Sequence, residues 1–185
     1  MSTETKNIVN GVDVDGIVNT VKAVTADPEI AKFRFRATNR LVEGGLNRTE
    51  IKEFHGAKQE HRTDKDAFVL HNDEPHVLLS QDKAPNPVEY VLHALLGCMT
   101  TTTTYHAAAK GIEIESIRSE IEGDLDLQGF LGMDPDIRPG YQGIRAKLVV
   151  KTKGSHDEVA ALHKLSPVYD IVSRPVPVQV DVVFE

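Results

Sequence analysis

Asn86-Pro87-Val88-Glu89-Tyr90-Val91-Leu92-His93-Ala94-Leu95-Leu96-Gly97-Cys98-Met99 opens the segment around which the rest of the chain must be arranged. Asn86 is a good helix N-cap, Pro87 suits the first helical position, and Glu89 completes an Asn-x-x-Glu capping box. The helical pattern continues through five threonines, Thr100 to Thr104, and through Ala107-Ala108-Ala109-Lys110. Gly111 is a favoured terminator. The spacing predicts a helix of about 24 residues, long for a globular domain. Tyr90 to Leu96 is apolar nearly all round, the pattern of a buried helix. One small domain cannot readily cover both sides of it, and a second subunit is the economical cover.

Working upstream, Val14, Ile17, Val18, Val21 and Val24 give Val12 to Ala26 the periodicity of an amphipathic helix, ended by Asp27-Pro28. Lys32 to Thr38 alternates basic and apolar residues and predicts a half-buried strand. Gly44-Gly45 marks a turn. Asn47 to Phe54, Phe68-Val69-Leu70 and Val77-Leu78-Leu79 predict further strands, the last two split by the polar turn His71 to Pro75. Downstream, Ile112 to about Asp126 and Ile144 to Lys151 alternate as strands around a Gly/Pro-rich loop, Gln128 to Gly140. Ser155-His156-Asp157-Glu158 is a second capping box, opening a helix with Val159, Leu162 and Leu165 on one face. Ser166-Pro167 begins another helix, with Ser166 as its cap. Val178 to Phe184 alternates as a last strand. Strands grouped before and after helices predict an α+β fold with largely antiparallel sheet.

The 185 residues fit one domain with a helical extension over residues 1–31 and the main body over 32–185. A net charge of −7 argues against general nucleic-acid binding, and a chain without tryptophan offers little for base stacking. No apolar run reaches the roughly 18 residues that span a bilayer. The polar start, Met1 to Asn7, is unlike a signal peptide. One cysteine excludes a disulfide or a thiolate-rich metal site within one chain, and fits a reducing, cytoplasmic setting. His55, His61, His71 and His76 lack metal-ligand spacing, and the glycines of 129–140 make neither a Walker nor a dinucleotide pattern. No metal or cofactor is expected.

Cys98 is therefore the best nucleophile available. By default a cysteine in an apolar helix is a packing residue. Leu95, Thr101, Thr102 and Tyr105 lie near it by helical spacing and could line a ligand site. The threonine hydroxyls could equally bond back to helix carbonyls. Glu89, nine residues before Cys98, falls on the opposite face at about 100° per residue and reads as a cap. His93 and His106 are off the Cys98 face or two turns away.

The Asn-Pro-x-Glu helix start, the run to Gly97-Cys98, Ala107 to Ile112, Gly123-Asp124-Leu125-Asp126 and Ser166-Pro167-Val168, in this order, resemble the OsmC/Ohr family of osmotically induced and organic-hydroperoxide-resistance proteins. The resemblance covers roughly residues 32–185. It implies an intertwined homodimer, with antiparallel sheets wrapped around long central helices and the site at the subunit interface. It implies a peroxidatic role for Cys98 and an activating arginine from the early strands. Arg48 is the first candidate and Arg40 the second, while Arg34 and Arg36 fit exposed strand positions. Val88 stands where the family carries a glutamate, and Ser166 where it carries a second cysteine.

Three functional expectations follow. One is reduction of organic hydroperoxides through Cys98, with an external thiol as reductant. The alternative is a non-catalytic dimer that binds a small apolar ligand at the interface. The third is a dimeric scaffold in which Cys98 is only core.

Overall fold

The computed structural model describes residues 6–184; Met1 to Thr5 and Glu185 lie outside them. In chain order the strands are β1 (Ile8–Val9), β2 (Val12–Asp13), β3 (Arg34–Phe35), β4 (Thr38–Glu43), β5 (Leu46–Ile51), β6 (Phe54–Gly56), β7 (Gln59–His61), β8 (Phe68–Asn72), β9 (Ile114–Leu125) and β10 (Tyr141–Thr152). The helices are α1 (Val14–Ala26), α2 (Pro87–Ala109), α3 (Leu127–Phe130), α4 (His156–Leu162) and α5 (Pro167–Ser173). The chain forms two compact units, residues 6–7 with 13–91 and residues 8–12 with 92–184.

In the first unit, Asp13 caps α1 by accepting from the Gly16 N–H at 2.8 Å. Asp27 ends it and is held by Lys58. Two three-stranded antiparallel sheets follow, β3-β6-β7 and β4-β5-β8. The single strand expected over Lys32–Thr38 is broken at Arg36-Ala37, because Phe35 pairs with Phe54 of β6 whereas Thr38 pairs with Glu50 of β5. The expected strand Asn47–Phe54 divides for the same reason. Strand extent follows pairing partners, and the partners change between the two sheets.

Val77 to Leu79 is not a strand. Residues His76–Leu78 form a 3-10 turn, with Leu79 left-handed at φ 65°. The cause is Asp73, whose carboxylate is fully buried. It accepts from Ser80 Oγ at 2.5 Å and from the N–H groups of Glu74 and Lys83 at 2.9 and 3.0 Å. Gathering donors from both ends of residues 74–83 curls the segment and leaves Val77 and Leu79 84% and 96% exposed.

The helix α2 begins at the end of the first unit, and from Leu92 it forms the second unit with the β9–β10 hairpin. The capping box is reciprocal: the Glu89 N–H donates to Asn86 Oδ1, and the Asn86 N–H donates to Glu89 Oε2, both at 2.9 Å. At the other end Gly111 is left-handed at φ 68°. Its N–H reaches the Ala108 carbonyl and that of Ile112 reaches Ala107, both at 2.9 Å, a Schellman closure. The helix is buried along one stripe, Leu95, Met99, Thr103 and Ala107, with Ala108 beside it. Burial all round does not occur within this chain, and Val91 is among the exposed residues.

The pattern 8–12 joins this unit through Asn10, whose side chain donates to Ile112 O at 2.9 Å and accepts from the Ile114 N–H at 2.8 Å. Strands β9 and β10 pair antiparallel, Ile144 opposite Gly123. Across them Arg145 holds Asp124 and Glu122, and its guanidinium keeps the Asp124 carboxyl below its ordinary range. Ser155 caps α4 and Ser166 caps α5, as their sequences predict. Among the described residues Val178 to Phe184 pairs with no strand, and Val178, Val180, Val182 and Phe184 stand exposed.

Hydrogen bonds from Ser80, and from the N–H groups of Lys83 and Glu74, hold the Asp73 carboxyl below the usual carboxylate range. A depressed folded pKa gives stability that is complete above the unfolded value, about 3.9. It is lost as pH falls through the folded value. We therefore expect the acid side of the unfolding-midpoint profile to flatten below about pH 4 in Asp73→Asn, with a lower midpoint at pH 7. An unchanged profile by circular dichroism melting would mean that Asp73 does not organise the loop.

Candidate functional site

Cys98 lies in the fourth turn of α2 and is a free, half-buried thiol. Helical geometry explains its partial exposure. It sits about 60° round the axis from Leu95 and about 100° from Met99, at the margin of the buried stripe. Leu95 itself is buried. Thr102 is half-buried, whereas Thr101 and Tyr105 are exposed, Tyr105 at 51%. The expected lining residues therefore run from the core edge at Leu95, past Cys98 and Thr102, to the open face at Tyr105. The back-bond considered for Thr101 and Thr102 is made by Thr104, whose Oγ donates to Thr100 O at 2.9 Å. Thr103 Oγ1 is buried without a hydrogen-bond partner.

The two candidate arginines come together in the first unit. Arg40 and Arg48 are directly opposed across β4 and β5. Two like charges at one register position repel, and Glu50 on the same strand compensates. It ion-pairs with Arg48, whose hydrogen bond and charge draw the Glu50 carboxyl below its ordinary range, with a smaller contribution from Arg40. Glu50 was not legible as a site residue; its signal is the Arg48-x-Glu50 spacing, which puts both side chains on one strand face. Arg36 is likewise engaged, by Glu60.

The remaining expected positions have local structural roles. Glu89 completes the α2 cap. Val88 is half-buried. Ser166 is fully buried, and its Oγ accepts from the Tyr169 N–H at 3.1 Å. Among the described residues, no three or more His, Cys, Asp or Glu gather as metal ligands, and no helix is long and apolar enough to cross a membrane.

The sequence profile of OsmC-like proteins matches residues 80–181, more than half of the chain. The chain belongs to the OsmC-like family. Its fold is similar to that of an OsmC-like protein from Mycoplasma pneumoniae, with 17% identity and a TM-score of 0.55, over 77% of this chain and 89% of that one. A structural-genomics protein is similar at 16% identity and a TM-score of 0.51, over 76% and 90% of the two chains. At these identities the likeness shows the fold alone. No curated protein matches the chain in sequence.

In OsmC-like terms, the helix start and the cysteine of this chain lie within the matched region, whereas β4 and β5, which carry Arg40 and Arg48, precede it. The sheet arginines can be tested apart from Cys98. In carboxyl NMR titrations, Arg48→Gln is expected to return Glu50 toward about 4.3, the unperturbed value. Arg40→Gln is expected to raise it less. Equal effects of the two substitutions would show that the Arg48 hydrogen bond is not the dominant cause.

Proposed function

We propose that this OsmC-like protein reduces organic hydroperoxides through Cys98, with an external thiol as reductant. The observation that carries the reading is the half-buried free thiol at the edge of the buried stripe of α2, one turn from the exposed Thr101 and two turns from the exposed Tyr105. A sulfur there is open to a small substrate while its helix stays anchored. The Cys98 thiolate attacks one peroxide oxygen, the O–O bond breaks, and the leaving alkoxide takes a proton to become the alcohol. Sulfur is oxidised to sulfenic acid. One external thiol then attacks that sulfur and expels water, forming a mixed disulfide. A second breaks it, restoring Cys98 and leaving with the first as an oxidised disulfide. Ser166, capped and buried, supplies no resolving thiol.

The working unit in this reading is a homodimer in the cytoplasm. Support comes from the apolar residues the single chain leaves uncovered. Val178, Val180, Val182 and Phe184 form a period-two apolar face on a segment without a strand partner among the described residues, the signature of a strand awaiting a sheet. The exposed side of α2 lacks a cover as well, and at Gly97 an added Cβ would meet nothing within 4 Å.

Two measurements test the proposal. Stopped-flow oxidation of Cys98 by cumene hydroperoxide is expected to run at least about tenfold faster than that of a free thiol, roughly 1.4 kcal/mol of barrier. It should also exceed the rate with hydrogen peroxide, and be absent in Cys98→Ser. A rate equal to that of a free thiol rejects the peroxidase and favours the second reading, an apolar-ligand-binding dimer, which the exposed apolar surface supports. In sedimentation, a dimer is expected. Val180→Asp with Val182→Asp should weaken it roughly a hundredfold, from about 1.5 kcal/mol per buried valine. A monomeric parent protein would overturn the dimer.

A further inference from the structure

Four of the six phenylalanines converge on one site in residues 13–91. Phe54 of β6 stacks on Phe35 with centroids 5.2 Å apart and on His61 at 4.7 Å, with Phe33 at 6.2 Å. The planes lie within 28° of parallel, so the rings form layers. Gly56 makes room for them: a Cβ there would fall 2.3 Å from the Phe33 ring. The Arg62 guanidinium completes the group, 4.9 Å from the Phe54 centroid and 5.4 Å from that of Phe68.

Three features of Arg62 go beyond packing. Its backbone is left-handed at φ 60°, uncommon for a non-glycine residue. Its Nε is buried with no hydrogen-bond acceptor. It makes no ion pair among the described residues, although its neighbours are paired: Arg36 and His55 both reach Glu60, His55 at 3.3 Å. An unsatisfied buried donor on a cation is costly, and an acceptor supplied from outside removes that cost. Phe68 beside it is open at 61% exposure, as is Phe35 in Phe54's stack at 69%.

We propose that Arg62 and the Phe33-Phe35-Phe54-Phe68 cluster bind a small aromatic carboxylate. The ligand ring joins the layered phenylalanines, where an offset stack is favourable. Its carboxylate accepts side-on from Arg62 Nε and a neighbouring Nη, the bidentate geometry a guanidinium prefers. The site is independent of Cys98 and of the peroxidase reading.

Calorimetric titration of the full chain with 2-naphthoate tests the proposal, with 2-naphthalenemethanol as the neutral probe of similar shape and acetate as the anion without a ring. Naphthoate is expected to bind at least tenfold more tightly than either. Arg62→Gln should bring naphthoate down to the level of the alcohol. Phe68→Ala, at an exposed position, should weaken naphthoate yet keep its preference over the alcohol. Cys98→Ser should bind as the parent does. Naphthoate binding no tighter than the alcohol or acetate would overturn the site, as would parent-like affinity in both Arg62→Gln and Phe68→Ala. Should Arg62→Gln not fold, Arg62→Lys replaces it. Lysine keeps the charge but not the fork, so an affinity equal to the parent's would overturn the bidentate geometry.

Discussion

A helix whose apolar residues run round its whole girth can be covered along only one stripe by the chain that makes it. In α2 that stripe is Leu95, Met99, Thr103 and Ala107, spaced four residues apart. Everything else follows from what remains outside it. Cys98 is half-buried because it stands at the edge of the stripe. Tyr105 and Val91 are exposed because they lie beyond it. The proposed peroxidase chemistry would need this compromise: enough anchoring to hold the sulfur in place and enough opening to meet a substrate.

The ends of α2 are set by local chemistry. At its start, the Asn86–Glu89 pair satisfies two N–H groups that the helix cannot satisfy itself. At its end, the left-handed Gly111 turns the chain so that two carbonyls of the last turn are used. The same economy operates at Asp73, where one buried carboxylate replaces a strand by a turn. In each case a polar group dictates the path of the backbone because leaving it unpaired inside the protein would cost more than bending the chain.

Charge pairing decides which arginines are at liberty. Arg48 faces Arg40 across two strands, and Glu50 compensates them; Arg36 is held by Glu60. Arg62, by contrast, has aromatic rings for neighbours and no carboxylate among the described residues. Rings can stack on a guanidinium without accepting its hydrogen bonds, so the cation stays attractive to an anion.

The sequence by itself determined the local elements whose causes are local. These are the α2 capping box and its glycine stop, the Ser155 and Ser166 caps, the amphipathic α1 and the long hairpin of β9 and β10. It also carried the order of motifs that resembles the OsmC-like family, and made Cys98 the sole thiol. Only the tertiary structure decided the rest. Lys32–Thr38 splits because pairing partners are chosen at a distance. Val77–Leu79 curls because Asp73 is buried, which no spacing announces. Val178–Phe184 has the alternation of a strand but finds no sheet among the described residues, because alternation specifies a face and not a partner. The convergence of Phe33, Phe35, Phe54, Phe68 and Arg62 was equally invisible, since residues up to 35 positions apart meet only when the strands that carry them have paired.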